Sequence, residues 1–342
     1  METELKFQVP RAQRQALHRA MATASATTTR LQAVYADTPG QQLAAAGLAL
    51  RLRKEGPVWV QTLKGRGDGL MQRLEHEVPL PAQRGVPTLN PQRHAGSPAG
   101  ERLLLVLAAG GPLQPVYRTD IRRLHRRVRQ DGALIELAYD RGRIFVGEQS
   151  VVVDEIEFEL VRGPAAALPE LAARWALRFG LWWDVRTKSE RGFRLALGRT
   201  TVSPAMADAA IQTRGLISVQ AWQARLQAAL LVALPNAAEL AAGTGGTGHL
   251  VQWRLALQQL CGVLGAAPAA FPQQAVAKTL GLALAEQSQR MQPAAAPRAF
   301  ARVPAAPLAA AGRAARSTPL CLLMLRSLAL SVPMAPQRNG TP

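Results

Sequence analysis

Glu2, Glu4 and Lys6 alternate at the start of the chain. Alternate side chains of an extended strand share a face, so two carboxylates and an ammonium fall within about 14 Å at roughly 3.4 Å per residue. Carboxylate oxygens are hard ligands suited to Mg²⁺ or Mn²⁺, ions that keep several waters and bind through one or two carboxylates plus phosphate oxygens. The same alternation puts Arg51 with Arg53, Arg73 with Glu75 and Glu77, and Glu155 with Glu157 and Glu159, each set on one face. Guanidinium groups grip phosphate oxygens in bidentate fashion. Paired acids beside paired bases therefore point to phosphate held together with a metal.

Six segments carry these residues with a period of two: 2–7, 49–54, 58–64, 73–78, 134–139 and 153–160. The period predicts antiparallel strands. In each, one face is ionic and the other aliphatic, and a closed sheet with a polar interior, packed outside under helices, accounts for all six at once. Helices are predicted over 10–24 and 169–179, and the Pro/Gly-rich stretch 80–100 reads as loop. If the ionic faces line one lumen, it holds seven carboxylates and at least five cations. Like charges about 4 Å apart repel by roughly 4 kcal/mol at an effective dielectric near 20, so such a lumen needs divalent cations or guanidinium partners.

The ordered series Glu2-x-Glu4-x-Lys6, Leu50-Arg-Leu-Arg53, Thr62-Leu-Lys64, Arg73-Leu-Glu-His-Glu77, Thr119-Asp-Ile-Arg-Arg123, Ile135 to Gly142, Glu155-Ile-Glu-Phe-Glu159 and Thr187-Lys-Ser-Glu-Arg191 resembles the CYTH, or triphosphate tunnel metalloenzyme, family over about residues 1–200. The resemblance implies an α+β fold, a closed antiparallel eight-stranded β-barrel forming a tunnel with flanking helices. It also implies divalent-metal-dependent hydrolysis of inorganic triphosphate. Glu2, Glu4, Glu157 and Glu159 would then hold Mg²⁺ or Mn²⁺, and Lys6, Arg51, Arg53, Lys64, Arg73, Arg123 and Arg191 would bind substrate. Glu155, Glu157 and Lys188 are the catalytic candidates, a carboxylate of that strand orienting the attacking water. Only one of Arg122 and Arg123 can face inward, and the family's arginine falls at Arg123. Hydrolases or cyclases acting on thiamine triphosphate or nucleotides share this cradle, and a non-catalytic polyphosphate-binding module is the alternative of another class.

Other residues read as structural. His18, His76, His94 and His125 have no spacing suited to metal or acid–base work, and His76, alternating with Glu75 and Glu77, points outward. Trp182 and Trp183 read as packing, and Arg122–Arg129 as a solvated strand rather than a nucleic-acid patch.

The chain has 342 residues and a net charge of +18, which favours a polyanionic partner; a small-molecule triphosphate is expected, without specific nucleic acid or membrane. Cys261 and Cys321 lack metal-ligand spacing and Met1–Lys6 is charged where a signal peptide is apolar, so a reduced, cytoplasmic protein is expected. The run from Leu320 to Met334 is broken by Arg326 and is too short to span a bilayer.

Only Asp208, Glu239 and Glu286 are acidic after Thr200. This change of composition divides the chain into a tunnel domain (1–200), a linker (201–218), a helical segment (219–290) and an Ala/Pro/Arg tail (291–342) for which disorder or weak helix is expected. Leu234-Pro-Asn-Ala-Ala-Glu and Gln252-Trp-Arg-Leu-Ala-Leu257 resemble the opening of a CHAD domain, a helical module that binds polyphosphate. Val251 stands where that family has a histidine, and Gln258, Gln259 and Cys261 replace its arginines, so a degenerate module without polyphosphate affinity is expected.

Overall fold

A computed structural model describes residues 1–67, 69–83, 85–207, 218–290 and 305–332. Eight strands form its principal sheet: β1 (Glu2–Gln8), β2 (Thr27–Asp37), β3 (Leu48–Glu55), β4 (Val58–Arg66), β5 (Gln72–Leu80), β6 (Gln114–Gln130), β7 (Ala133–Val146) and β8 (Gln149–Arg162). They pair in the order β5-β4-β3-β2-β6-β7-β8-β1, and β1 pairs again with β5, so the sheet closes into a barrel. The closing contact is short, Glu2 opposite Arg73 and Thr3 opposite Gln72. On its other edge β1 pairs with β8 over five positions, with Glu4 facing Glu159 and Lys6 facing Glu157. Closure at this point pairs the two ends of the sheet, which would otherwise be free edges there.

The six predicted strands are all present, all longer than the alternation suggested, least for Glu2–Gln8 and most for Ala133–Val146. Two more complete the barrel, and their pattern is inverted. On β2 the inward residues include Leu31, Ala33 and Tyr35, opposite Ile121, Thr119 and Tyr117 of β6, where Arg123, opposite Thr29, also faces inward. Their charged neighbours Arg30 and Asp120 pair on the outside, Nε to Oδ1 at 2.9 Å. The interior is therefore not polar throughout, as the ionic strand faces had suggested. Leu31, Ala33, Tyr35, Ala49, Tyr117, Ile121, Ile144, Val153 and Phe193 form one apolar cluster there.

Helices cover the outside. The helix expected over 10–24 is shorter: a 3-10 turn at Arg11–Gln13 leads into α1 (Arg14–Met21), whose Leu17 and Met21 are buried. After α2 (Gln42–Ala45) comes α3 (Pro98–Ala108), begun by Ser97 accepting a hydrogen bond from the Gly100 amide at 3.0 Å. The stretch read as loop to residue 100 thus ends in a capped helix start. Ala99 and Leu103 of α3 pack with Leu43 of α2 and with Leu48, Leu50 and Leu63 of β3 and β4.

The chain divides into two compact units, residues 1–128, 136–160 and 186–200 in the first and 129–135, 161–185 and 201–342 in the second. The second holds α4 (Ala167–Phe179), and the first ends with α5 (Lys188–Ala196). The second unit continues through α6 (Val219–Ala242), α7 (Thr247–Gly265), α8 (Gln274–Arg290), α9 (Ala305–Ala315) and α10 (Thr318–Ser331). Trp222 anchors α6 to α7, its indole donating to the Val263 carbonyl at 2.7 Å. Where composition suggested weak helix or disorder, α10 buries Leu320, Cys321, Met324, Leu325 and Leu328 against α4, α6 and α8. An apolar stripe of this kind provides the core contact that an Ala/Pro/Arg average conceals. The parts of the expected linker and tail at 208–217, 291–304 and 333–342 lie outside the described residues. Among the described residues no helix is long and apolar enough to cross a membrane.

Gly142 of β7 lies so close to β6 that a Cβ there would stand 2.0 Å from the Asp120 carbonyl oxygen. Gly142→Ala is expected to destabilise the protein by about 1–3 kcal/mol, measured by chemical denaturation, since the strands that carry Arg123 and Asp140 must separate to admit it.

Candidate active site

Register brings the predicted residues together. Arg51 lies opposite Thr62, Lys64 opposite Glu75, and Glu77 opposite Thr62, so β3, β4 and β5 present their charges on one inner wall. There Lys64 Nζ sits 3.0 Å from Glu2 and 3.1 Å from Glu75. Arg73 Nε is 3.6 Å from Glu4, and Arg53 donates to Glu77 at 2.9 Å. Arg51 is buried, takes the Tyr35 hydroxyl as acceptor at 3.0 Å, and stands 3.9 Å from Glu75 and 4.0 Å from Glu77. Tyr35 stacks on Tyr117, ring centroids 4.4 Å apart, so the apolar cluster fixes the arginine's floor.

The facing wall is built from β6, β7, β8 and α5. Arg123 is the inward one of its pair, forking onto both oxygens of Asp140 at 2.7 Å and reaching Glu157 at 2.6 Å. Arg122 is exposed on the outside. Lys188 touches Asp140, Glu155 and Glu157 at 2.8, 2.6 and 2.7 Å. Arg191 pairs with Glu155, and Lys6 donates to the Arg186 carbonyl. Lys188 and Arg191 are delivered by the start of α5. Thr187 caps the helix, accepting from the Glu190 amide at 3.0 Å while Glu190 accepts from the Thr187 amide at 2.8 Å, and residues 188 and 191 then share a face. Gly192 lets that face lie against Tyr117, where a Cβ would stand 2.4 Å from the ring.

Proton affinities separate the two walls. Burial would raise Glu157, but Lys188 and Arg123 outweigh it and hold its carboxyl well below the ordinary range. Glu155, equally buried, is likewise lowered by Arg191 and Lys188. Burial would lower the Lys188 ammonium, but Asp140, Glu155 and Glu157 outweigh it and push it up. On the neighbouring strand β1, burial raises Glu2 and Glu4, aided by Glu75 for the first and by Glu2 for the second, despite Lys64. Burial and the neighbouring Glu2 push Glu159 up to about 8.

Two acidic sets could take a cation. Asp140, Glu155 and Glu157 bring carboxylate oxygens within 4.8 Å of one another, the tightest such group among the described residues. Lys188, Arg123 and Arg191 already neutralise it. Glu2, Glu4 and Glu159 form the second set; burial raises their proton affinity more than Lys64, 3.0 Å from Glu2, offsets it, and Arg73 stands 3.6 Å from Glu4. Their hard oxygen donors fit a divalent metal that would share them with Lys64 and Arg73. Glu157, expected among the metal ligands, is committed to Lys188 and Arg123.

Asp140, wholly buried, was not singled out from sequence as a site residue. It lies in the segment Ile135 to Gly142 that carries part of the family resemblance, directly after the apolar run Leu137-Ala-Tyr139. His76 does point away from Glu75 and Glu77, and its Nδ1 meets Nδ1 of the buried His94 at 2.9 Å.

The family described as CYTH domain matches residues 1–192. The chain belongs to the CYTH family. A Haemophilus influenzae protein named inorganic triphosphatase is 32% identical over 164 residues, covering 47% of this chain and 44% of the relative. The chain thus spans less than half the length of that curated relative. Among solved structures, the Hippeastrum protein HpAC1, described as an adenylyl cyclase candidate with dominant triphosphatase activity, matches 58% of this chain and 97% of its own at 21% identity and a TM-score of 0.43. An adenylate cyclase candidate from Bacillus halodurans matches 56% and 96% at 17% identity and a TM-score of 0.39. In this CYTH barrel, then, the charged walls of β1, β3–β5 and β6–β8 fall inside the matched region, as does most of α5.

Two outcomes follow from the pairing. Asp140→Asn strips Arg123 and Lys188 of a shared buried partner and is expected to cost about 3–5 kcal/mol in denaturant unfolding, partly recovered when tripolyphosphate is added. Glu159 carries a penalty of opposite sense: its raised pKa disfavours the folded state increasingly from about pH 4.5 up to about 8. In chelator, Glu159→Gln is therefore expected to stabilise the protein by about 1–2 kcal/mol at pH 9 and by nothing at pH 4, allowing for the solvent that reaches this carboxyl.

Proposed function

We propose that the barrel is a divalent-metal-dependent triphosphatase that hydrolyses inorganic triphosphate within its lumen. The observation supporting this reading is the asymmetry of the walls: Glu2, Glu4 and Glu159, whose burial is only partly offset by neighbouring cations, share a lumen with Arg51, Arg53, Lys64 and Arg73. A pure anion trap would be weakened by such acids, whereas a phosphate chain arriving with a metal uses both signs at once. The match to a named inorganic triphosphatase supports the choice of substrate.

In this reading Glu2, Glu4 and Glu159 hold Mg²⁺ or Mn²⁺, which when bound supplies Lewis-acid neutralisation of phosphate oxygens. Arg51, Arg53, Lys64, Arg73 and Lys6 bind the phosphate chain, and Arg123 and Arg191 brace the opposite side. Glu155 and Glu157, ionised because Lys188, Arg191 and Arg123 hold them so, orient a water in line with the terminal phosphorus. Their low proton affinity suits orientation rather than proton abstraction, and phosphoryl transfer through a loose transition state asks mainly for positioning and charge stabilisation. Lys188 keeps both carboxylates in place and faces the charge that develops on the equatorial oxygens. Water attacks, pyrophosphate departs with the electrons of the broken P–O bond, and the proton passes to solvent. A small-molecule substrate in the cytoplasm, with neither nucleic acid nor membrane as partner, completes the proposal; residues 219–290 are read as a degenerate CHAD-like segment.

Phosphate release measured across tripolyphosphate, ATP and thiamine triphosphate is expected to be fastest with tripolyphosphate, to require Mg²⁺ or Mn²⁺ and to stop in chelator. Glu4→Ala should lower kcat by about 100-fold or more, while Lys6→Ala should act mainly on KM. Full activity of the Glu4 variant, or release that ignores chelator, would sink the reading.

A further inference from the structure

A second concave site lies on the outer wall of the barrel. A pocket of about 370 Å³ opens between α1 and strands β2, β6, β7 and β8, lined in part by Arg14, His18, Arg122, Leu124, Tyr139 and Arg141. That volume falls in the range of about 300–1,000 Å³ typical of small-ligand sites. Its position is back to back with the lumen: Arg122 precedes the inward Arg123, Tyr139 precedes Asp140, and the lining Asp154 precedes Glu155.

The charges inside the pocket are unevenly matched. Asp154 is buried, accepts from the Tyr139 hydroxyl at 2.9 Å and pairs with Arg14, so it is consumed. Arg122 and Arg141 are exposed and make no hydrogen bond or ion pair among the described residues, although Arg141 lies near enough to Asp154 to favour its charged form. His18 on α1 and Thr28 on β2 add two more polar groups at the rim. Leu124 and the Tyr139 ring supply a buried apolar floor, and Val152 an apolar edge. Two unpaired guanidiniums above an apolar floor match an anion attached to an apolar body, and guanidinium geometry favours the oxygens of phosphate.

We propose that this outer pocket binds a phosphomonoester with a compact apolar group, its phosphate between Arg122 and Arg141 and its body on Leu124 and Tyr139. The site is separate from the lumen and does not depend on what the lumen hydrolyses.

Phenyl phosphate is the probe, titrated calorimetrically into the full-length protein. Three forms are compared: the natural sequence, R122A/R141A, and a control R118A/R143A that removes the same charge from exposed arginines outside the pocket. All four arginines are exposed, so both variants are expected to fold, and their unfolding midpoints verify it. Saturable binding is expected, weakened by at least about tenfold in R122A/R141A and by less than about twofold in the control. Absence of saturation up to about 10 mM, equal weakening in both variants, or no weakening in R122A/R141A would each overturn the proposal.

Discussion

The structure is organised around buried charges that have to be neutralised inside a closed sheet. A carboxylate removed from water is tolerated only when cations or hydrogen bonds replace the hydration it loses. On the β6–β8 side this replacement is complete. Arg123, Lys188 and Arg191 surround Asp140, Glu155 and Glu157, and the two glutamates are driven to lower proton affinity. On the β1 side it is incomplete, and Glu2, Glu4 and Glu159 hold protons more tightly than free carboxylates do. The same barrel thus contains one acidic cluster that its cations hold ionised and another whose burial is only partly offset.

That division explains why a helix from outside the sheet matters to the site. α5 contributes no strand, yet its capped first turn sends Lys188 and Arg191 into the acidic cluster. Removing them would leave three clustered carboxylates with one guanidinium. The aromatic contact of Phe193 with Tyr117, at 5.1 Å between centroids, and the close approach at Gly192 hold the helix at the depth this requires. Packing and electrostatics are coupled here: the apolar cluster inside the barrel also carries Tyr35, the hydroxyl partner of Arg51.

The outer face follows ordinary rules by contrast. Arg30 and Asp120 form an exposed pair of the kind that contributes little to stability. Arg122, one residue from the most deeply engaged arginine of the site, has no described partner and faces outward into a pocket. Period-two geometry alone makes neighbours in sequence belong to different surfaces with different chemistry.

Much of this was legible in the residues themselves. Alternation placed Glu2 with Glu4 and Lys6, Arg51 with Arg53, and Glu155 with Glu157 and Glu159 on shared faces, because a strand's side-chain period is fixed by the backbone and needs no tertiary information. The closed sheet followed from six such faces. Strand β2 and the inward side of β6 were less visible, since Leu31, Tyr35, Tyr117 and Ile121 place apolar groups where the other strands place charges, and a pattern does not say which face is inside. Asp140 was hidden for a related reason: one carboxylate among apolar neighbours has no period. How each acid is compensated depends on distances between residues more than a hundred positions apart, such as Glu4 and its partner Glu159 on the neighbouring strand. Sequence determined which side chains could share a face; only tertiary closure decided which faces meet, because charge compensation falls off with distance in space and is indifferent to separation along the chain.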